Sequence, residues 1–199
     1  DLDTLVNYGY ARRNIIKAKF PELSKDGKDL YAVNIHATAF ATDNTKQKHI
    51  NKYIETLNDI QNDGDYFVAG GDLNSVPPGS AIDFCDSDKC DGEECDGDFK
   101  NNEAYQGSYF GHFDGESDIL IPLYNSYNSA VNLVNANQPY HYSHAPSTSF
   151  EMNGIKYDRK LSYLFSNKDW EDGTSMTHQS AWEISDHMPV SSVLLFEWK

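Results

Sequence analysis

The chain has 199 residues, 39% of them hydrophobic, and its 31 Asp and Glu against 16 Lys and Arg give a net charge of −15. That length accommodates one domain with a real core and is marginal for two. No apolar run approaches the roughly eighteen residues of a membrane span, and the charge argues against general affinity for polyanions, which rests on counterion release by Lys and Arg.

Two local basic clusters remain, Arg12, Arg13, Lys17 and Lys19 early and Lys156, Arg159 and Lys160 late. The three cysteines, Cys85, Cys90 and Cys95, share one acidic segment. An odd count forms no complete disulfide framework, and the spacing lacks the paired ligands of a zinc site. The redox compartment and the localisation therefore stay open, with a secreted or extracytoplasmic setting slightly favoured. The opening, "DLDTLVNYGYARRN", reads like the interior of a protein without a targeting segment. The expectation is a longer native chain of which this is the C-terminal portion.

In chain order, "RNIIKAKF" (13–20) alternates and meets Pro21, which predicts a strand. Asp26-Gly27 marks a hairpin turn, and "LYAVNIHA" (30–37) is the returning antiparallel strand. A helix follows. Asn44 with Gln47 three residues on resembles a capping box, and Ile50, Tyr53, Ile54, Leu57 and Ile60 form one apolar face. The helix should stop near Asp63-Gly64. "DYFVAGG" reads as a short strand buried on both faces. From 75 to about 153 the chain is irregular, too long for an ordinary connection, so functional loops or short unrecognised elements are expected. "PPGSAIDF" could hold one helical turn. Long strands are expected at "GIKYDRKLSYLFSN" (154–167) and "PVSSVLLFEW" (189–198). Strands outnumber strong helices, which predicts a β-rich α/β layered fold, one domain over 1–199 with an irregular insertion around 83–153.

Three polar motifs sit at strand ends: Asn34-x-His36, Asp72-x-Asn74 and Ser185-Asp186-His187. Each alone also fits a turn or the wet face of a strand. If they converge, two histidines, two aspartates and an asparagine meet at one rim. That set suits phosphate-ester hydrolysis. A carboxylate can hold Mg²⁺, which keeps several waters. A histidine can move a proton near neutral pH, and an amide can bind a phosphate oxygen without charge repulsion.

The motifs "NIHATAF", Gln47, "GGDLNSVP", "YDRKLSYLFSN" and "ISDHMPV", in this order over residues 10 to 199, resemble the endonuclease/exonuclease/phosphatase superfamily. The resemblance implies a four-layer αββα sandwich of the deoxyribonuclease I type and a divalent metal, usually Mg²⁺ or Mn²⁺. It implies that Asp72 orients or deprotonates the attacking water, that Asn74 holds the phosphate, and that His187 is the catalytic histidine. By the same resemblance Asp186 is a metal ligand, and His36 contacts the phosphate or protonates the leaving group.

Two departures stand out. The family's early asparagine and its glutamate metal ligand have no counterpart before Asn34, so the sandwich should be incomplete on its N-terminal side. The family's late "R-x-D-Y" aspartate, which orients the histidine, corresponds either to Ser162 or, in another register, to Asp158. The acidic loop at 83–98 is either a solvated charged loop or a structural Ca²⁺ site.

The expected function is therefore a metal-dependent phosphoesterase acting on a phosphodiester or phosphomonoester. The alternatives are an impaired family member serving as a binding module, or an acidic Ca²⁺-binding extracellular domain. Expected partners are the phosphoester substrate and the missing N-terminal segment; nucleic acid stays open as a substrate, although the charge disfavours it.

Overall fold

In a computed structural model of the chain, residues 13–39, 44–80, 118–145, 157 and 159–199 are described. Strand β1 (Ile15–Phe20) ends where Pro21 removes the next backbone donor. It pairs antiparallel with β2 (Leu30–His36), Ile15 opposite Ile35 and Phe20 opposite Leu30. The Asp26-Gly27 turn is present, with Gly27 at φ 78 and its N–H bonded to Ser24 O at 3.1 Å, inside a connection longer than a two-residue hairpin.

Helix α1 (Thr45–Asn62) has its apolar stripe where the periodicity places it. Ile50, Tyr53, Leu57 and Ile60 are buried, and Ile54 is partly buried against the same core. The expected capping box does not form. Asn44 is the N-cap but makes no side-chain cap bond, and Gln47 instead donates to Asn51 Oδ1 at 2.8 Å, one turn along the helix. A local i,i+4 partner has won over the cap. The helix ends at Asp63 and Gly64, the latter at φ 81.

Strand β3 (Tyr66–Asp72) runs parallel to β2 and antiparallel to β5 (Ser162–Ser166). Among the described residues the main sheet has five strands in the order β1-β2-β3-β5-β4, where β4 is Asn128–Ser129. Val33 and Ile35 of β2 and Phe67 and Ala69 of β3 are buried in one core with the apolar stripe of α1. Tyr53 ties helix to sheet through a bond to Gly70 O at 3.3 Å. Alternation sends His36 and Asp72 to the opposite face. On that face Val68 is only partly covered, so β3 is fully buried on one side rather than two.

The irregular region resolves in part into short elements: α2 (Ile121–Ser126), β4, α3 (Leu133–Ala136) and a 3₁₀ turn at Pro139–His141. Pro77 and Ser80 close a single turn, Ser80 N to Pro77 O at 3.1 Å. The acidic loop at 83–98, all three cysteines and Asp158 lie outside the described residues.

Among the described residues the two late strands are shorter than the sequence pattern suggests, and residues 154–156 and 158 of the first lie outside the described residues. β5 begins only at Ser162, because Arg159 is engaged earlier by a bridge to His144. The C-terminal segment contributes β7 (Val190–Ser191), paired with β6 (Met176–Thr177), and then isolated bridges from Leu194 to Trp170 and from Trp198 to Ser24. Its backbone bonds are shared among several partners instead of one neighbouring strand.

Two features of this frame are open to measurement. A Cβ on Gly71, at φ 134, would lie 1.9 Å from Ile35 O of the adjacent strand. Gly71→Ala is therefore expected to lower stability by at least about 3 kcal/mol in denaturant titration. Lys160 is buried, its Nζ has no hydrogen-bond partner, and the amine lies 5.1 Å from the centre of the Tyr163 ring. Desolvation lowers its pKa from 10.5 to about 7. Between those values the unfolded chain binds the proton and the native chain does not, so this group makes stability rise with pH across that window. Lys160→Met should raise stability at pH 7 by on the order of a few kcal/mol and remove that rise. Equal pH dependence of the melting temperature in both proteins would refute this.

Candidate functional site

The site is built at the end of the sheet where β2 and β3 finish. Register places His36 beside Asp72, and Asp72 opposite Ser162 at the start of β5. Such close packing needs the two glycines before Asp72. A Cβ on Gly70 would lie 2.6 Å from Tyr163 O, and one on Gly71 would meet β2. The "GGD" sequence is thus a strand squeezed between two neighbours that delivers a carboxylate at its tip.

Asp72 is the hub. Its Oδ2 lies 3.3 Å from His36 Nε2, 3.6 Å from His187 Nε2 and 2.7 Å from Asn74 Nδ2. Asn74 adopts φ 47, a left-handed conformation that asparagine tolerates better than most residues. Its backbone N–H donates to Asp72 Oδ1 at 2.9 Å and its side-chain amide also donates to Ala37 O at 3.0 Å. Both amide hydrogens are therefore spent within the protein. The Asn74 side chain meets Asp72 through this kink rather than by strand alternation.

Burial pushes the pKa of His36 below its ordinary value of 6.5 against the opposing pull of Asp72, and the positive charges of Arg13 and His187 add to the lowering. The His36 side chain is 58% exposed, so the ring reaches solvent, while Asp72, at 14%, is largely covered. A ring of this kind is mainly neutral at pH 7 and can donate or accept a proton at its free edge.

His187 arrives on a loop held from behind. Met188 N bonds Ser143 O at 2.7 Å and Ala145 N bonds Asp186 O at 2.9 Å, so residues 143–145 run antiparallel to 186–188. The same short segment grips the start of β5. Ser143 N and His144 N bond Arg159 O at 2.8 and 3.0 Å, and Ser143 Oγ accepts from Leu161 N and Ser162 N at 2.9 and 2.8 Å. Residues 143–145 thus clip the third motif onto the sheet edge that carries the second. The sequence reading missed them. "YHYSHAP" has no period, and its only signal was a pair of histidines in a polar stretch.

His144 brings a further imidazole to the rim. One donor atom each from His144, Asp186 and His187 lies within 4.8 Å of the others, the only such cluster of three among the described residues. The His144 and His187 rings meet edge to face at 5.3 Å. His187 Nδ1 is buried and has no hydrogen-bond partner. Ser162, directly opposite Asp72, presents a short hydroxyl side chain on the Asp72 face instead of a carboxylate.

The structure therefore brings His36, Asp72, Asn74, Asp186 and His187 to one rim, while Asp158 lies outside the described residues. The arrangement offers a carboxylate braced by an amide, two imidazoles beside it and an exposed second carboxylate. Groups of these types, so placed, are capable of moving a proton and of attracting a cation.

No family model and no curated protein matches the sequence. Solved structures do match. The catalytic domain of APE2 from Xenopus laevis superposes with a TM-score of 0.54 at 15% identity, over 92% of this chain and 55% of that one. An endonuclease/exonuclease/phosphatase family protein from Leptotrichia buccalis superposes at 0.50 with 14% identity, over 92% and 54%. The chain spans about half the length of these structures. No helix among the described residues is long and apolar enough to cross a membrane. The chain shares with these structures a mixed α/β fold of the deoxyribonuclease I type, the fold that the order of its motifs implies.

Proposed function

We propose that the protein is a metal-dependent phosphoesterase that hydrolyses a phosphodiester or phosphomonoester by attack of water at phosphorus. The observation that carries this reading is the single carboxylate oxygen, Asp72 Oδ2, with His36, Asn74 and His187 all within 3.6 Å. A lone aspartate in a turn has no need of two imidazoles and a buried amide around it. The fold, shared with nucleases and phosphatases, supports the same class.

In this mechanism Asp72 orients the water and takes its proton as the new oxygen–phosphorus bond forms. Asn74 fixes the carboxylate through both of its donors, so the base is held without rearrangement. His187 and His36 flank the phosphoryl group, hydrogen-bond its oxygens and return a proton to the departing oxygen as the old bond breaks. The donor set fits a hard divalent ion. Asp186 is exposed and Asp72 is close by, and Mg²⁺ or Mn²⁺ needs few protein oxygens because it keeps its waters. Held there by Asp186, such an ion would supply charge to offset that of a phosphoryl oxygen.

The net charge of −15 favours a small soluble phosphoester over a long duplex. A panel of phosphoesters with and without Mg²⁺, on the full protein, tests the class. Asp72→Asn and His187→Ala should each lower kcat by about 10²- to 10⁴-fold without loss of fold. Wild-type rates in either variant would dismiss the assignment.

A second reading, an impaired member that binds without turnover, draws on the unpartnered Nδ1 of His187 and on Ser162. An imidazole without an anchoring acceptor has no fixed tautomer or ring orientation. Ser162→Asp is expected to supply that acceptor and raise kcat on the order of tenfold or more. No hydrolysis in the wild type together with gain in Ser162→Asp identifies the impaired form.

A further inference from the structure

We propose that His144, Asp186 and His187 form a binding site for a borderline-soft divalent cation of the Zn²⁺ type, whose occupancy withdraws His187 from the phosphoryl group. Two imidazoles and one carboxylate are the donors of such ions, whereas Mg²⁺ and Ca²⁺ select oxygen. The donors already lie close together. Two ligands at about 2.1 Å on a tetrahedral ion lie about 3.4 Å apart, so donor atoms within 4.8 Å of one another close by at most about 1.4 Å through side-chain rotation. Asp186, being exposed, is free to supply that rotation.

The site is also framed from both sides. The backbone bonds between 143–145 and 186–188 hold the two histidines on adjacent extended segments, so their separation does not depend on a flexible loop. His144 is itself buried, at 3% exposure, which gives the trio one fixed member, one half-buried member and one open to solvent. Three protein ligands leave a fourth position to water, as in open zinc sites. One ring nitrogen of the trio, His187 Nδ1, is buried and satisfied by no protein group.

The consequence for activity rests on the phosphoesterase reading; cation binding does not. An imidazole engaged by a cation no longer donates a proton to phosphate, so Zn²⁺ inhibits where Mg²⁺ activates.

The test is equilibrium dialysis of the full protein against Zn²⁺ in millimolar Mg²⁺. One equivalent of Zn²⁺ should be retained. His144→Ala and Asp186→Asn should each weaken it by at least about tenfold, since even residues behind the ligands cost that much. Asp72→Asn should retain it, which separates this site from the water-activating carboxylate. Asp186 is exposed on a loop, so its variant decides the matter even if His144→Ala fails to fold. Zn²⁺ affinity unchanged in Asp186→Asn, or full displacement by Mg²⁺, overturns the proposal. A protein that hydrolyses nothing but shows this pattern of Zn²⁺ binding removes the phosphoesterase reading and leaves the cation site. Hydrolysis without Asp186-dependent Zn²⁺ binding does the reverse.

Discussion

The close approach of β3 to both of its neighbours is the constraint on which the rim depends. Gly70 and Gly71 carry no Cβ where one would meet Tyr163 O on one side and Ile35 O on the other. Only that approach lets His36, Asp72 and Ser162 share one line across three strands. The strand interior also supplies the anchor: Phe67 and Ala69 bury one face against α1, so alternation sends the Asp72 carboxylate to the other. Hydrophobic burial thereby fixes the direction of a charged group that gains nothing from burial itself.

The second half of the site depends on backbone bonds rather than packing. Residues 143–145 bond to Arg159 O, accept from the Leu161 and Ser162 amides through Ser143, and pair with 186–188. A loop bearing Asp186 and His187 is thus tied to the sheet edge by a segment that belongs to neither. Its hydrogen bonds are short and largely shielded from water, which makes them costly to leave unmade. The position of His187 relative to Asp72 is therefore set by three separate stretches of chain.

The polar chemistry of this region is unevenly satisfied. Asn74 spends both side-chain hydrogens, and Asp72 receives from amide and backbone. Lys160 Nζ and His187 Nδ1 are buried without partners. The first is tolerated by giving up its charge, since desolvation brings its pKa to about 7. The second is a ring nitrogen that accepts or donates according to what approaches it. One rim thus combines a rigid carboxylate with a histidine one of whose ring nitrogens is held by no protein group.

Local patterns alone determined much of this protein. The 3.6-residue stripe of α1, the alternation of β2 and the run from Tyr66 to Asp72 are written in short stretches, because the face each buries is decided by its own spacing, whereas β1 forms as a strand but leaves every residue after Ile15 exposed. The directions of His36 and Asp72 were legible for the same reason, whereas Asn74 turns on a left-handed kink and His187 on a loop held by backbone bonds. Tertiary structure decided the rest. How soon β5 begins and how the C-terminal segment shares its bonds turn on competing partners distant in the chain, whereas the capping box lost to a partner only one turn away. His144 joined Asp186 and His187 only because a backbone clip with no sequence period folded across them. Hydrogen-bond partners distant in sequence carry no local signature, so the groups that complete the rim could be found only once the chain had closed on itself.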